Sequence, residues 1–319
     1  MQDMFEDSLP LEVLPIDISG LRRGNVGVDY VHRYASGREG PQVMVNALMH
    51  GNELCGAHAL TWLMSQIDGP QRGTLTLSFA NVAAYESFDE AQPTASRFVD
   101  EDMNRLWTAE VLDGTRQSAE LARARALRPL LADADYLLDI HSMQLDCPAL
   151  MLCGLAEKGR VLARAVGVPP VIVADRGHDA GRRMRDYEHF GDPADARAAL
   201  LVECGQHWRQ ASVDIAKQTL VRFLDQFDML PGDFVEAHRG APPPRARIIE
   251  VVGPYTIRTD DFSFVEPYQG LEVIPRAGTV LGYDGGAPVA TPHDNCVLIM
   301  PSRRLRTGQT AVRLGRYLT

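Results

Sequence analysis

Apolar residues along this chain gather in short runs separated by polar, glycine-marked breaks, and the spacing inside each run indicates what it builds. Gln42-Val43-Met44-Val45-Asn46-Ala47-Leu48 carries apolar residues on both alternating faces, which predicts a strand buried on both sides. Residues 54–67 change to a helical spacing, so the chain passes from strand to helix through Met49-His50-Gly51-Asn52-Glu53. Residues 73–80 predict another strand, ending at Asn81. Residues 118–132, rich in Ala, Leu and Arg at helical spacing, predict a helix, and Tyr136-Leu137-Leu138-Asp139-Ile140-His141 predicts a strand with His141 at its carboxyl end. Further strands are expected at 149–153, 170–174 and 199–203, with helices at 157–166 and 213–227. Strands alternating with helices predict an α/β fold built on a mixed, mostly parallel sheet with flanking helices.

Three regions break the alternation. Residues 9–35 switch between apolar and polar over short distances with Gly20, Gly24 and Gly27 as punctuation, which fits one or two antiparallel edge strands. Residues 85–113 are long, polar and aperiodic, as expected of a functional loop, and carry Arg97-Phe98-Val99-Asp100-Glu101-Asp102-Met103-Asn104-Arg105. After Leu230-Pro231-Gly232 the texture changes. Ala241-Pro242-Pro243-Pro244 reads as a stiff spacer, and short β-rich pieces divided by Gly, Pro, Asn and Asp follow it. The expected division is a catalytic domain over residues 1–232 and a small C-terminal all-β domain over 233–319.

Composition narrows the function classes. The chain has 319 residues, 45% of them hydrophobic and 23% charged, enough for one large domain and a small one. A formal charge of −10 disfavours non-specific contact with nucleic acid or an anionic membrane, and any anionic substrate would need a local basic pocket. The acidic amino terminus, Met1 to Asp7, lacks the basic start and apolar core of a secretory signal, and no apolar run reaches the length of a membrane span, so a cytoplasmic protein is expected. Cys55, Cys147, Cys153, Cys204 and Cys296 form no Cys-x-x-Cys pair and read as small buried hydrophobes. Oligomerisation into a homo-oligomer is left open.

The chemistry gathers on the strand-to-helix turn. In an open α/β sheet ligands collect beyond the carboxyl ends of strands, and His50 and Glu53, with two residues between them, can converge there on one metal ion. His141 would complete a three-ligand set with one position open, the arrangement of a catalytic rather than a structural zinc. Asp139 shares a strand face with His141; it either orients the imidazole or caps nearby backbone. Glu203 ends an apolar run, where a carboxylate is costly unless paired or used; it serves either as general base and acid or as half of an ion pair. Arg97, Asn104 and Arg105 offer positive charge and amide donors to an anion or a developing oxyanion.

Taken together, His50-Gly51-Asn52-Glu53, the Arg97 to Asn104-Arg105 spacing, Asp139-Ile140-His141 and Val202-Glu203-Cys204-Gly205 resemble, in order, the motifs of the succinylglutamate desuccinylase/aspartoacylase family, a branch of the zinc carboxypeptidase-like superfamily. The resemblance runs over about residues 43–206, and a following small β domain also suits it. It implies one zinc ion per chain on His50, Glu53 and His141, with Glu203 as general base and acid. It further implies Arg97 as the carbonyl-polarising residue and Asn104-Arg105 as the pair that holds a substrate carboxylate. The implied substrate is a small anionic N-acyl amino acid, and the implied activity is that of an amidohydrolase acting on linear amides other than peptide bonds. In this sequence the further substrate-binding arginine expected shortly before the catalytic glutamate has no clear counterpart among Arg182, Arg183, Arg185 and Arg197, so the acyl group stays open. Tyr187 and His189 are alternative pocket residues, and His178, His207 and His293 remain candidates to line it. His58 is expected to point away from the turn. The competing readings are a zinc carboxypeptidase acting on short peptides, a metal-free binding or regulatory protein, and a cysteine hydrolase built on Cys204, which strand geometry disfavours because Cys204 and Glu203 face opposite sides.

Overall fold

The computed structural model describes residues 10–178 and 180–318; the acidic segment Met1 to Asp7 lies outside the described residues. In chain order the elements are β1 (Val31–Ala35), β2 (Gln42–Ala47), α1 (Leu54–Gln66), β3 (Thr74–Phe79), α2 (Val82–Glu86), α3 (Ala109–Asp113), α4 (Ala119–Ala132), β4 (Tyr136–Met143), β5 (Leu150–Leu152), α5 (Glu157–Val166), β6 (Val171–Ala174), β7 (Ala198–Gln206), α6 (Gln210–Asp225), α7 (Gly232–His238), β8 (Arg247–Thr256), β9 (Ser263–Phe264), β10 (Val273–Ile274), β11 (Val280–Asp284), β12 (Ala287–Ala290), β13 (Cys296–Ile299) and β14 (Thr310–Tyr317).

Eleven strands form one mixed sheet in the order β1-β3-β2-β4-β7-β5-β6-β8-β14-β13-β10. Its centre is parallel. β2 pairs with β3 and β4, and β4 pairs with β7, so the carboxyl ends of β2, β4 and β7 open side by side on one edge of the molecule. The register places Asn46 opposite Asp139 and His141 opposite Glu203. These strands read as unbroken apolar runs because helices cover both faces: Leu54, Leu60 and Leu63 of α1 pack on one side and Leu121, Leu127 and Leu131 of α4 on the other, all at 0% exposure. Trimming any one of these leucines to alanine typically costs about 2–5 kcal/mol.

β1 is the antiparallel edge strand expected of the first segment. The aperiodic loop carries two single 3₁₀ turns, Ala95–Arg97 and Met103–Arg105, and the short α3, elements too brief to leave a repeating stripe. α7 was not foreseen for the same reason. Seven residues give no sustained period, and the helix is held by tertiary packing, with Phe234 stacked on Trp62 at 5.7 Å between ring centroids.

The C-terminal region is made of antiparallel strands, joined to the large sheet through main-chain hydrogen bonds: β8 runs parallel to β6 from the Val171/Arg247 pair onward, and β14, β13 and β10 follow it. β9, β11 and β12 form a separate three-stranded sheet. Among the described residues no helix is long and apolar enough to cross a membrane.

Candidate active site

Gly51 brings the strand-to-helix turn and the polar loop together. A Cβ there would lie 2.3–2.4 Å from backbone atoms of Ala84, Tyr85 and Ser96, so only glycine permits the approach. The approach lets Gly51 N–H donate to the Arg97 carbonyl at 3.1 Å, placing Arg97 beside His50. The rest of the loop hangs on Glu120, in the first turn of α4. Its fully buried carboxylate accepts from Asn81 Nδ2 and from the backbone N–H groups of Val99, Asp100 and Glu101 at 2.7–3.3 Å. Asp100 reciprocates by accepting from Ala119 N–H at 2.7 Å.

His50, Glu53 and His141 converge. Each offers a ligand atom within 4.8 Å of the other two, and all three are buried. His50 Nδ1 lies 2.7 Å from Glu53 Oε1, and His141 Nδ1 lies 2.8 Å from Glu53 Oε2. Both imidazoles therefore turn Nδ1 toward the shared carboxylate and Nε2 outward to a second one. His141 Nε2 is 2.9 Å from Asp139 Oδ2, and Asp139 Oδ1 accepts from Asn46 Nδ2 at 2.8 Å. His50 Nε2 is 2.9 Å from Asp102 Oδ1. Carboxylates behind both imidazoles fix the orientation of the rings.

Charge explains the fit to a cation. Burial would raise the Glu53 carboxyl, but His50 and His141 against it hold it well below the usual range. Burial likewise disfavours a charged His141, yet Asp139 and Glu53 raise it well above an ordinary imidazole. The half-buried Asp102 is kept low by His50, Arg97 and Arg105, against the rise that desolvation alone would cause. Two imidazoles and the Glu53 carboxylate, with Asp139 and Asp102 behind the rings, make a nitrogen-and-oxygen donor set suited to zinc.

Glu203 stands opposite His141 in the carboxyl-terminal half of β7 with its Oε2 buried and without a hydrogen-bond partner among the described residues. Burial pushes its carboxyl up to about 8, with His141 and Arg97 opposing and Glu53 adding to the rise. Arg97 Nη2 lies 3.2 Å from Asp102 Oδ2 and 2.9 Å from His50 Nε2, and its Nη1 lies 3.6 Å from Glu53. Asn104 anchors its Oδ1 on Met184 N–H at 2.9 Å, leaving the amide Nδ2. Arg105 Nη1 donates to the Asn104 carbonyl at 2.8 Å.

All seven residues singled out by sequence, His50, Glu53, Arg97, Asn104, Arg105, His141 and Glu203, line one cavity of about 320 Å³. The C-terminal strands and the loops between them also line it, through Thr256, Gln269, Met300, Arg304 and Arg313. His178 and His207 also line it; His207 Nδ1 is 2.8 Å from Ser142 Oγ, and burial lowers this imidazole to about 3.

The four arginines before Glu203 separate cleanly. Arg185 donates to the Cys153 and Ala199 carbonyls, Arg197 pairs with Asp195, and Arg182 Nη1 donates to the Asp186 carbonyl. Arg183 reaches the cavity wall but is tied to Asp175 and Asp186. The Tyr187 hydroxyl accepts from Arg128 Nε at 2.8 Å, and neither Tyr187 nor His189 lines the cavity. His58 Nε2 meets the Leu14 carbonyl at 2.9 Å, away from the turn. Cys204 lies outside the cavity lining, and burial raises its thiol well above the usual value, the reverse of an activated nucleophile.

Sequence reasoning missed Asp102, Asn46, Glu120 and Arg313. Asn46, a polar residue inside an apolar strand run, carried a usable signal. Nothing in the string distinguishes Asp102 from Asp100 and Glu101.

Residues 39–227 match the succinylglutamate desuccinylase/aspartoacylase catalytic domain. A probable aspartoacylase from Parasynechococcus marenigrum (strain WH8102) is 38% identical over 85 residues, 27% of this chain; the matched stretch spans only 26% of that relative. The crystal structure of succinylglutamate desuccinylase from Vibrio cholerae shares the fold with a TM-score of 0.66 at 17% identity, covering 90% of this chain and 85% of that one. Murine aminoacylase 3 does so with a TM-score of 0.59 at 19% identity, covering 88% and 96%. With its catalytic domain matched over more than half its length, the chain belongs to the succinylglutamate desuccinylase/aspartoacylase family.

Proposed function

We propose that this protein is a zinc-dependent amidohydrolase that removes the acyl group from a small N-acyl amino acid, releasing a carboxylic acid and a free amine. The observation that carries the reading is the meeting of His50, Glu53 and His141 in a cavity that Glu203, Arg97, Asn104 and Arg105 also line. A zinc ion held by these two imidazoles and one carboxylate would supply Lewis-acid polarisation of the scissile carbonyl and make water acidic enough to attack. The chain's own groups do the rest. Glu203 takes a proton from the attacking water and returns it to the leaving amine, for which a carboxyl held near neutrality is matched. Arg97 donates to the carbonyl oxygen as it gains charge. Asn104 Nδ2 and Arg105 hold the substrate carboxylate. Asp139 and Asp102 keep the two imidazoles turned.

The cavity favours a small substrate over a peptide terminus. Residues on both sides of position 232 line it, and the C-terminal ones, among them Thr256, Gln269 and Arg313, stand where a peptide chain would have to extend. An assay of amine release from N-acetyl, N-succinyl and N-formyl amino acids with zinc-loaded protein tests the reading. Release from none of them would overturn it.

Two further outcomes are expected. Elemental analysis should find about one zinc per chain, with activity lost to a chelator. His141→Ala should lower metal content at least tenfold, by loss of one of three ligands, and unchanged metal content would remove His141 from the set. Blocking the substrate carboxylate as an amide should cut kcat/KM by about 10- to 10²-fold, the size of a lost charged hydrogen bond. Arg105→Lys should cost a similar factor, since an ammonium cannot reproduce the guanidinium fork. Equal turnover of free acid and amide would free this pair from the role.

A further inference from the structure

Strand β14 sends one more guanidinium into the cavity. Arg313 is 5% exposed and lines the same space as Arg105 and Glu203. A buried guanidinium is costly unless acceptors, preferably carboxylates, take its donors. Arg313 has no carboxylate of its own. Asp175, its acidic neighbour, gives both oxygens to Arg183 at 2.7 and 3.0 Å and stands 3.8 Å from Arg313 Nε. Arg313 Nη2 lies instead against the ring of His178, 2.5 Å from Nε2 and 2.9 Å from Nδ1. An imidazole offers no negative charge to a guanidinium, and burial, with Arg313, Arg105 and Arg183 around it, drives this one far below its ordinary range and keeps it neutral.

The carboxylates at hydrogen-bond distance are fewer than the guanidinium groups around them. Arg183, Arg185 and Arg313 face two carboxylates, Asp175 and Asp186, and Arg183 and Arg185 hold the close contacts. Asp102 answers Arg97 at 3.2 Å and Arg105 only at 3.8 Å. One positive charge is left over at Arg313 and one at Arg105, and both press on His178 and on each other. The backbone explains the juxtaposition. The segment carrying His178 is laid over the Arg105 turn so closely that a Cβ on Gly181 would lie 2.1 Å from the Arg105 carbonyl oxygen, and Trp107 N–H donates to the Arg182 carbonyl at 3.2 Å.

We propose that Arg313 is the second half of the substrate-carboxylate clamp, so that one carboxylate of the N-acyl amino acid binds between Arg105 and Arg313 and takes the donors that His178 now holds. The inference rests on reading Arg105 as a carboxylate-holding residue. It makes the C-terminal strands a working part of the site. A carboxylate offers about four lone-pair positions, enough for two guanidinium forks. Arg183, lying nearer Glu203 in sequence, cannot take this place because its donors are spent on Asp175 and Asp186.

The experiment is a double-mutant cycle over Arg105→Met and Arg313→Met. It is read on kcat/KM for the best N-acyl amino acid of the panel and for the same molecule with its carboxylate amidated. Calorimetric binding of that acid to metal-stripped protein gives a readout independent of turnover. Each single variant should weaken the free acid by about 10- to 10²-fold, the double variant should be little worse than either, and the amide should be insensitive to both. Arg313→Lys, which keeps the charge, should lose less than Arg313→Met and serves if the larger change prevents folding. Additive losses would show that Arg313 reads another group, and wild-type binding by either Arg313 variant would overturn the clamp. The parent reading fails separately. Wild-type protein that binds the acids with this cycle but releases no amine would keep the clamp and remove the deacylase, while turnover with a flat cycle would do the reverse.

Discussion

Glu203→Gln is expected to lower turnover by about 10²–10⁴-fold, the usual contribution of a general base, while metal content and substrate binding stay near those of the wild type. The glutamine keeps the shape of the side chain. Its Oε2 position makes no hydrogen bond with described residues, so no neighbour loses a partner in the exchange. What disappears is the capacity to take and return a proton. A base works only in its ionised form, so the wild-type rate should fall as pH drops through the carboxyl's pKa. Burial sets that pKa high, with Glu53 adding to it, whereas His141 and Arg97 pull it down, and a bound cation would pull it further. The acidic limb of the pH–rate profile should therefore lie below 8 and should vanish or move in the glutamine variant. An unchanged limb would assign the base elsewhere. Near-normal turnover would refute the mechanism.

The fold was legible wherever a buried strand or a long amphipathic helix wrote its period into the sequence. β2, β4 and β7 declared themselves as apolar runs, and a histidine or glutamate closing such a run marked the place where a carboxyl end opens on a ligand. The parallel order β2-β4-β7 then turned three motifs, distant in sequence, into neighbours. Residues that act through contacts between segments left no comparable mark. Asp102 is one of three acids in a row, and only the clasp between Glu120 and the backbone of residues 99–101 decides that it, and not Asp100, meets His50. Arg313 sits in a strand that reads as ordinary amphipathic β, and it becomes informative only when β14 is laid beside β8. The sequence pattern also suggested a break after residue 232, because the helical period stops there. Sheet pairing has no such period across segments, so the β6–β8 pairing that carries the large sheet into the C-terminal strands was invisible.

Arg97→Ala should cost about 10²–10³-fold in kcat, by comparison with other donors to a developing oxyanion, and should do so for a different physical reason from Glu203→Gln. Arg97 moves no proton, so the acidic limb should persist at lower height. Its guanidinium is preorganised: the Gly51–Arg97 backbone hydrogen bond fixes the start of the side chain, and Asp102 and Glu53 hold its end against the metal-ligand cluster. Such a donor costs little reorganisation when charge develops, which is what distinguishes it from a solvated arginine. The contact between Asp102 and His50 does not pass through Arg97, so metal content should survive the substitution. KM should change less than kcat, because the interaction strengthens only as the carbonyl oxygen becomes negative. Arg97→Lys should recover part of the loss, since a point charge restores attraction without the fork. A variant that loses metal, or one whose KM rises while kcat holds, would make Arg97 a structural or ground-state binding residue and leave the oxyanion to another donor.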